Sequence, residues 1–375
     1  MEDVMSRLTK INKGALLAIG LVAAAAGVLI GAGFVGGSSS ASDRPAVKTG
    51  AWRSIAEAPE PVSADRTTVW SGSEMIVTGV NPGPDGTFSH AHEVAEAYKP
   101  ATDAWRELAV PPATPSYCRR DAVWTGREML VWGCNLLAYD PAANEWRRLP
   151  DPPTRHGIVA WTGRELIGWG GGCCGDVSDD GSAYNPVTNT WRKLAPAPVS
   201  GQQSPIGAWT GRELVVLNGH GPEGDRVGGA AYNPTKDSWR RIPSRSGIRA
   251  LRAVYDGNEI YAIGGTGVLA FNPSNNAWRE LPRAALGDGA AAWTGNRLIV
   301  SGSATNAYDP PRDLWTTFDS SPLGSRDDAA VAWTGHELIV WGGFVPAASG
   351  SPKYLADGAA FSPPKYSAPL PQCSC

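Results

Sequence analysis

Seven arginines, Arg66, Arg119, Arg120, Arg155, Arg249, Arg252 and Arg326, each stand at or just before the start of a run of small and β-branched residues. A guanidinium group presents a fixed fork of donors that matches a carboxylate through two parallel hydrogen bonds. Gathered at one place, such residues would make a site for acidic ligands. Arg66, Arg120, Arg155, Arg249 and Arg326 come from five different stretches of the chain, so no single local pairing accounts for all of them. The competing expectation is that each is neutralised by a neighbour, because Asp65, Asp121, Asp327 and Asp328 stand close by.

Other residues could do chemistry but lack the spacing for it. His90, His92, His156, His220 and His336 show no ligand spacing beyond His90-x-His92, and metal centres need a convergent set. They read as exposed loop histidines, with His90, His92 and Tyr354 as a second candidate ligand-binding group on long loops. Asp176, Asp179 and Asp180 read as a polar turn rather than a calcium site. There is no Ser/His/Asp signature and no phosphate loop, so no catalytic residue, metal or cofactor is assigned. Charged residues are 18% of the chain and the net charge is −3, which gives no electrostatic case for nucleic acid.

The elements that must position these residues come from a repeat. Trp-Thr-Gly-x-Glu-Leu, with small changes, begins at Trp70, Trp124, Trp161, Trp209, Tyr255, Trp293 and Trp333. An apolar run ending in Gly follows each, as in Leu338-Ile-Val-Trp-Gly-Gly343, so each copy reads as two strands joined by a tight turn. A second motif alternates with it: Tyr or Phe, x, Pro, four residues, Trp. It spans Tyr98 to Trp105, Tyr139 to Trp146, Tyr184 to Trp191, Tyr232 to Trp239, Phe271 to Trp278 and Tyr308 to Trp315. The turn residues between the aromatics predict two further strands. One period of four strands matches the ~40–50 residues of a propeller blade.

Seven hairpins are present but only six complete second motifs. The seventh begins at Phe361-Ser-Pro363 with no Trp after it, while Ala51-Trp52-Arg53-Ser54-Ile55 carries a Trp with no repeat before it. The N-terminal strand is therefore expected to close the last blade, because an unclosed blade would leave an open sheet edge. All 16 Trp then have places: seven on outer strands, six at hairpin turns, and Trp132, Trp169 and Trp341 on second strands. Their expected role is packing between blades, since each large ring buries ~150–250 Å².

These motifs resemble the kelch family, in the form of extracellular bacterial kelch-like proteins and the central domain of galactose oxidase. The resemblance runs from Trp52 to about Pro363 and rests on Gly171-Gly172, Gly264-Gly265 and Gly342-Gly343, the later Tyr, and the blade-closing Trp. Gly133-Cys134, Asn218-Gly219 and Ser301-Gly302 depart from the double glycine. The resemblance implies an all-β, seven-bladed propeller of four-stranded blades. It implies little about activity, because the fold hosts binding modules, adaptors and a few enzymes. A copper site like that of galactose oxidase would need two His, two Tyr and a Tyr–Cys cross-link, which match no residues here position by position.

Strand order puts the Thr-Gly and Asn-Pro turns on one face of the ring. The other face carries the links between blades and those from second to third strand. The latter are long in blade 1 (Asn81 to His92), blade 3 (Gly172 to Ser182), blade 4 (Gly219 to Gly228) and blade 7 (Phe344 to Gly358). Variable insertions on one face mark the expected binding face, and the arginines stand on it. Folding the blade 2 hairpin about Thr125-Gly126 brings Cys118 and Cys134 within one residue of register, so a disulfide between them is expected. For Cys173-Cys174 and Cys373-x-Cys375, local bridges, a tail tied to blade 3 and a zinc site remain open.

Residues 1–13 read as a cytoplasmic N-terminus, 14–37 as a transmembrane helix, 38–50 as a linker, 51–363 as the propeller and 364–375 as a tail. The segment Gly14 to Gly37 carries no charge, and as a helix it would rise ~36 Å, enough for a ~30 Å hydrocarbon core. Arg7, Lys10 and Lys13 precede it and place the propeller outside the cytoplasm. If the segment is instead cleaved, at Ser39-x-Ala41, the protein is secreted. Ala23, Gly27 and Gly31 have the spacing of a helix-packing face, which an Ala/Gly-rich helix shows by chance. The resulting expectation is a single-pass membrane protein whose propeller binds a protein segment or glycan bearing carboxylates. The rival is a carbohydrate-active enzyme of the kelch type, a copper oxidase or a sugar-acid isomerase.

Overall fold

A computed structural model describes residues 50–365, except 63, 84–89, 114–119, 155–156, 174–175, 203, 221–225, 266, 287–288, 303 and 348–350. The chain divides into two units, 1–46 and 47–375, and the first lies wholly outside the described residues. So does the expected transmembrane segment, 14–37. Among the described residues no helix is long and apolar enough to cross a membrane.

Each Thr-Gly turn joins two short strands, as expected. In blade 2 the strands Asp121–Trp124 and Met129–Trp132 meet at Gly126, whose φ of 95° suits a residue without Cβ. Thr125 Oγ1 accepts from the Glu128 N–H and fixes the turn. The third strand, Leu136–Asp140, pairs with the second, and the outer strand Glu145–Leu149 pairs with the third. The described residues contain seven such four-stranded antiparallel sheets. Second strands are buried on both faces, because each sheet lies between two others, whereas the outer strands are half-buried or exposed.

The innermost strands touch in sequence around a closed circle, and Ala330–Trp333 of blade 7 meets Ala64–Trp70 of blade 1. Closure depends on the N-terminal strand. Ala51–Ser54 pairs antiparallel with Gly358–Ser362, setting Trp52 opposite Phe361. Blade 7 is thus made from both ends of the propeller.

Seven apolar clusters hold the ring, each between two consecutive blades. The cluster between blades 7 and 1 joins Ile339 and Trp341 to Met75, Val77 and Tyr98. The outer-strand tryptophans do more than pack. Indole N–H groups of Trp105, Trp146, Trp191, Trp239, Trp278 and Trp315 donate at 2.7–2.8 Å to the carbonyls of Ala56, Ala109, Pro150, Ala195, Pro243 and Pro282. Each acceptor belongs to the link leaving the preceding blade, except Pro243, which lies within the outer strand Ser238–Ser246 of blade 4. At the closure, Trp52 donates instead to Thr305 Oγ1 at 3.0 Å.

A charged ladder repeats on the short-turn face. The arginine after each outer Trp reaches the hairpin glutamate of its own blade, at 2.6–2.8 Å, in Arg53–Glu337, Arg106–Glu74, Arg147–Glu128, Arg192–Glu165, Arg240–Glu213 and Arg279–Glu259. Blade 6 differs. Thr316 stands where the arginine would be, and Arg297 replaces the glutamate and lies 4.0 Å from Asp309.

Two of the long links fold into small hairpins: Gly172–Cys173 with Asp176–Val177 in blade 3, and Phe344–Val345 with Lys353–Tyr354 in blade 7. In blades 1 and 4 the flanking strands lengthen instead, to Asn81 and His92 and to His220 and Arg226. The first strand of blade 2 starts at Asp121, not at Cys118, which lies outside the described residues with Cys174, Cys373 and Cys375.

Candidate functional site

Four of the five expected site arginines are described; Arg155 is not. Arg120 is only 2% exposed, and its Nη1 and Nη2 each donate at 2.6 Å to the two oxygens of Glu93, on the third strand of blade 1. The partner is Glu93 rather than the adjacent Asp121, because the side chain turns back across the blade boundary. Arg326 donates to both oxygens of Asp357, at 2.8 and 3.0 Å, and to the Gly342 carbonyl. Its guanidinium holds the Asp357 carboxyl below the usual carboxylate range. Arg66 donates to the Val62 carbonyl and lies 3.2 Å from Asp328, which is largely exposed. Burial lowers the Arg66 pKa against the pull of Asp328. Arg249 has an exposed side chain.

Three of these residues are therefore neutralised inside the protein, by partners that sequence proximity did not name. Two arginines nevertheless share one cavity. On the variable face, Arg252 of blade 5 and Arg326 at the entry to blade 7 line a space of about 490 Å³. Asp327, Asp328, Ser320, Ser321, Ser325 and Ser301 line it too. Arg66 of blade 1 reaches its rim through Asp328. Leu323, Ala329 and Val340 give it an apolar wall. Two cations, two carboxylates and several hydroxyls thus face one volume within the ~300–1,000 Å³ range of ligand pockets.

The second candidate group does not gather at this cavity. His90 is exposed in the blade 1 link, and His92 Nε2 lies 2.7 Å from Glu60 Oε2. Tyr354 sits half-buried in the blade 7 hairpin with its ring 6.0 Å from Phe344, and burial raises its hydroxyl pKa. His336 lies exposed in a hairpin turn on the opposite face, and His156 is outside the described residues.

Sequence reasoning missed the ladder and the hydroxyl contacts of the blade tyrosines. Tyr98, Tyr139, Tyr184, Tyr232 and Tyr308 donate at 2.5–2.7 Å to Asp103, Asn144, Asn189, Asp237 and Asp313. Each acceptor has a positive φ, which Asn and Asp tolerate best among residues with a side chain. Burial pushes the Tyr98, Tyr232 and Tyr308 hydroxyls up to about 12. The signal was present, because every one of these acceptors follows its Tyr by five residues.

A sequence model of the kelch motif matches residues 170–198, which run from the end of the second strand of blade 3 past its outer strand. That segment has counterparts around the whole seven-bladed ring. The chain is a seven-bladed propeller that carries a kelch motif in its third blade. Among solved structures, it is similar to a fungal alcohol oxidase of the AA5 family, solved in complex with copper. The identity is 16% and the TM-score 0.62, over 84% of this chain and 77% of that one. At that identity the likeness concerns the fold alone. No curated protein matches the sequence. The described residues do not fit a copper centre. Among the described residues no three His, Cys, Asp or Glu side chains are grouped to hold a metal ion. Five of its tyrosines are committed to the turns of their own blades.

Proposed function

We propose that this propeller is a binding module held at the outer side of a membrane by residues 14–37. It takes up a glycan or protein segment that presents carboxylates together with hydroxyls. The observation that carries the reading is the cavity shared by Arg252, Arg326, Asp327 and Asp328. Its opposite charges balance, so a purely anionic ligand gains less there than one that also donates hydrogen bonds to the aspartates. Arg252, on the first strand of blade 5, is the arginine to test first for contact with a carboxylate. The uncharged segment from Gly14 to Gly37, preceded by Arg7, Lys10 and Lys13, supports the anchored placement.

The test is a screen of glycan and acidic-peptide arrays with the full chain in detergent, followed by calorimetry on the best ligand. Arg252→Ala should weaken binding by about 1.5–3 kcal/mol, the range for charged hydrogen bonds. Asp327→Asn should weaken hydroxyl-rich ligands more than simple carboxylates. Unchanged affinity in both variants would exclude the cavity as the site. Protease digestion of intact cells tests the placement, because an outward-facing propeller is cleaved without lysis.

A further inference from the structure

The third strand of every blade carries, two residues before its Tyr or Phe, one residue at an equivalent register. These are Glu96, Leu137, Ser182, Ala230, Leu269, Asn306 and Ala359. Where this residue is polar, it ties down the link entering its own blade. Ser182 Oγ lies 2.7 Å from Thr154 Oγ1, and Asn306 Nδ2 donates to the Ala285 carbonyl at 3.0 Å. In blade 1, Glu96 Oε1 accepts from the Glu60 N–H at 3.1 Å. Of the seven residues only Glu96 can ionise.

Its setting is unfavourable for a charge. Glu96 is 1% exposed, and its Oε2 has no hydrogen-bond partner. The second strand sets Val77 opposite it and the outer strand sets Glu107 opposite it. The incoming link brings Glu60, a second acid. Glu60 Oε2 in turn meets Asn81 Nδ2 at 2.6 Å and His92 Nε2 at 2.7 Å, and Asn81 Oδ1 accepts from the Gly83 N–H. The link therefore rests on Glu96 and itself fastens the ends of the long blade 1 insertion.

We propose that Glu96 is a proton-controlled tie: as the neutral acid it holds the link Ala58–Val62 and the Glu60–Asn81–His92 contacts against blade 1, and as the carboxylate it loosens them. The link is the one that joins the ring-closing strand to blade 1, so loosening it acts on both the closure and the variable face. Burial, with the nearby charges of Glu60 and Glu107, pushes the Glu96 carboxyl up to about 7 against the pull of the Glu60 N–H. An unfolded glutamate titrates near 4.5. The tie is thus fully formed below that value, and its contribution is lost as pH rises from there to about 7.

The experiment is hydrogen exchange by mass spectrometry on the full chain, at several pH values from 5 to 8 and corrected for intrinsic exchange. It follows peptides covering residues 55–62. In the wild type, protection of this segment should fall at least about tenfold, the equivalent of one pKa unit, with a midpoint below pH 7 and a plateau above it. Glu96→Gln should keep its protection flat across the range, because the amide cannot ionise. Glu107→Gln should move the wild-type midpoint to lower pH, and it decides the matter if Glu96→Gln fails to fold. A flat wild-type profile, or a fall of the same size in Glu96→Gln, would overturn the proposal. So would a midpoint that Glu107→Gln leaves unmoved.

Discussion

Arg120 and Glu93 face each other across the boundary between blades 2 and 1, two nitrogens on two oxygens, with 2% and 10% of their side chains exposed. A pair this dry is costly to break from one side, because the remaining charge stays buried. Arg120→Ala should destabilise the propeller by about 3–5 kcal/mol. Replacing both residues with apolar ones of similar size should cost far less, and can be neutral. Urea unfolding of the two single variants and the double variant checks this, and equal losses in single and double variants would contradict it.

Removing residues 51–56 should cause aggregation or a large fall in the thermal midpoint. The deletion takes away the outer strand of blade 7, the Trp52 bond to Thr305, and Arg53 from Glu337. It also exposes the open edge of Gly358–Ser362. A shortened chain that melts with the intact one would show that the ring does not depend on this strand.

Gly168→Ala should destabilise by about 1–3 kcal/mol, the usual cost of overpacking a core. A Cβ at Gly168 would stand 2.4 Å from Trp132 Cζ3, and that ring is fully buried between blades 2 and 3. Gly126→Ala meets no atoms within 4 Å and acts only through its positive φ. Comparing thermal midpoints of the two variants separates crowding from backbone strain.

Cys118 and Cys134 should be bonded in protein made under oxidising conditions. Loss of the bridge should cost about 2–4 kcal/mol. A non-reduced digest read by mass spectrometry decides it, and recovery of both as free thiols would rule the bridge out.

The fold was legible because its signals are local and repeated seven times. Trp-Thr-Gly requires a turn wherever it stands, and the unmatched Trp52 implied a strand that closes the ring. The ladder was equally legible in principle, since a Glu in each hairpin and an Arg after each outer Trp recur in six blades. It was missed because an arginine near the variable face looked more functional than one repeated beside a tryptophan.

The site divides along a different line. Composition and spacing alone determined that the chain forms a ring of four-stranded blades, and that one face would carry the variable links and the seven arginines at the strand starts. Which carboxylate each arginine meets was decided by the tertiary structure. Arg326 pairs with Asp357, thirty-one residues away, and Arg66 with Asp328, at the other end of the propeller sequence. Ring closure brings blade 7 against blade 1, so partners far apart in sequence become neighbours. The environment of Glu96 follows the same rule. Its burial comes from the sheet around it, and one of its acidic neighbours, Glu60, arrives on the link that closure itself positions.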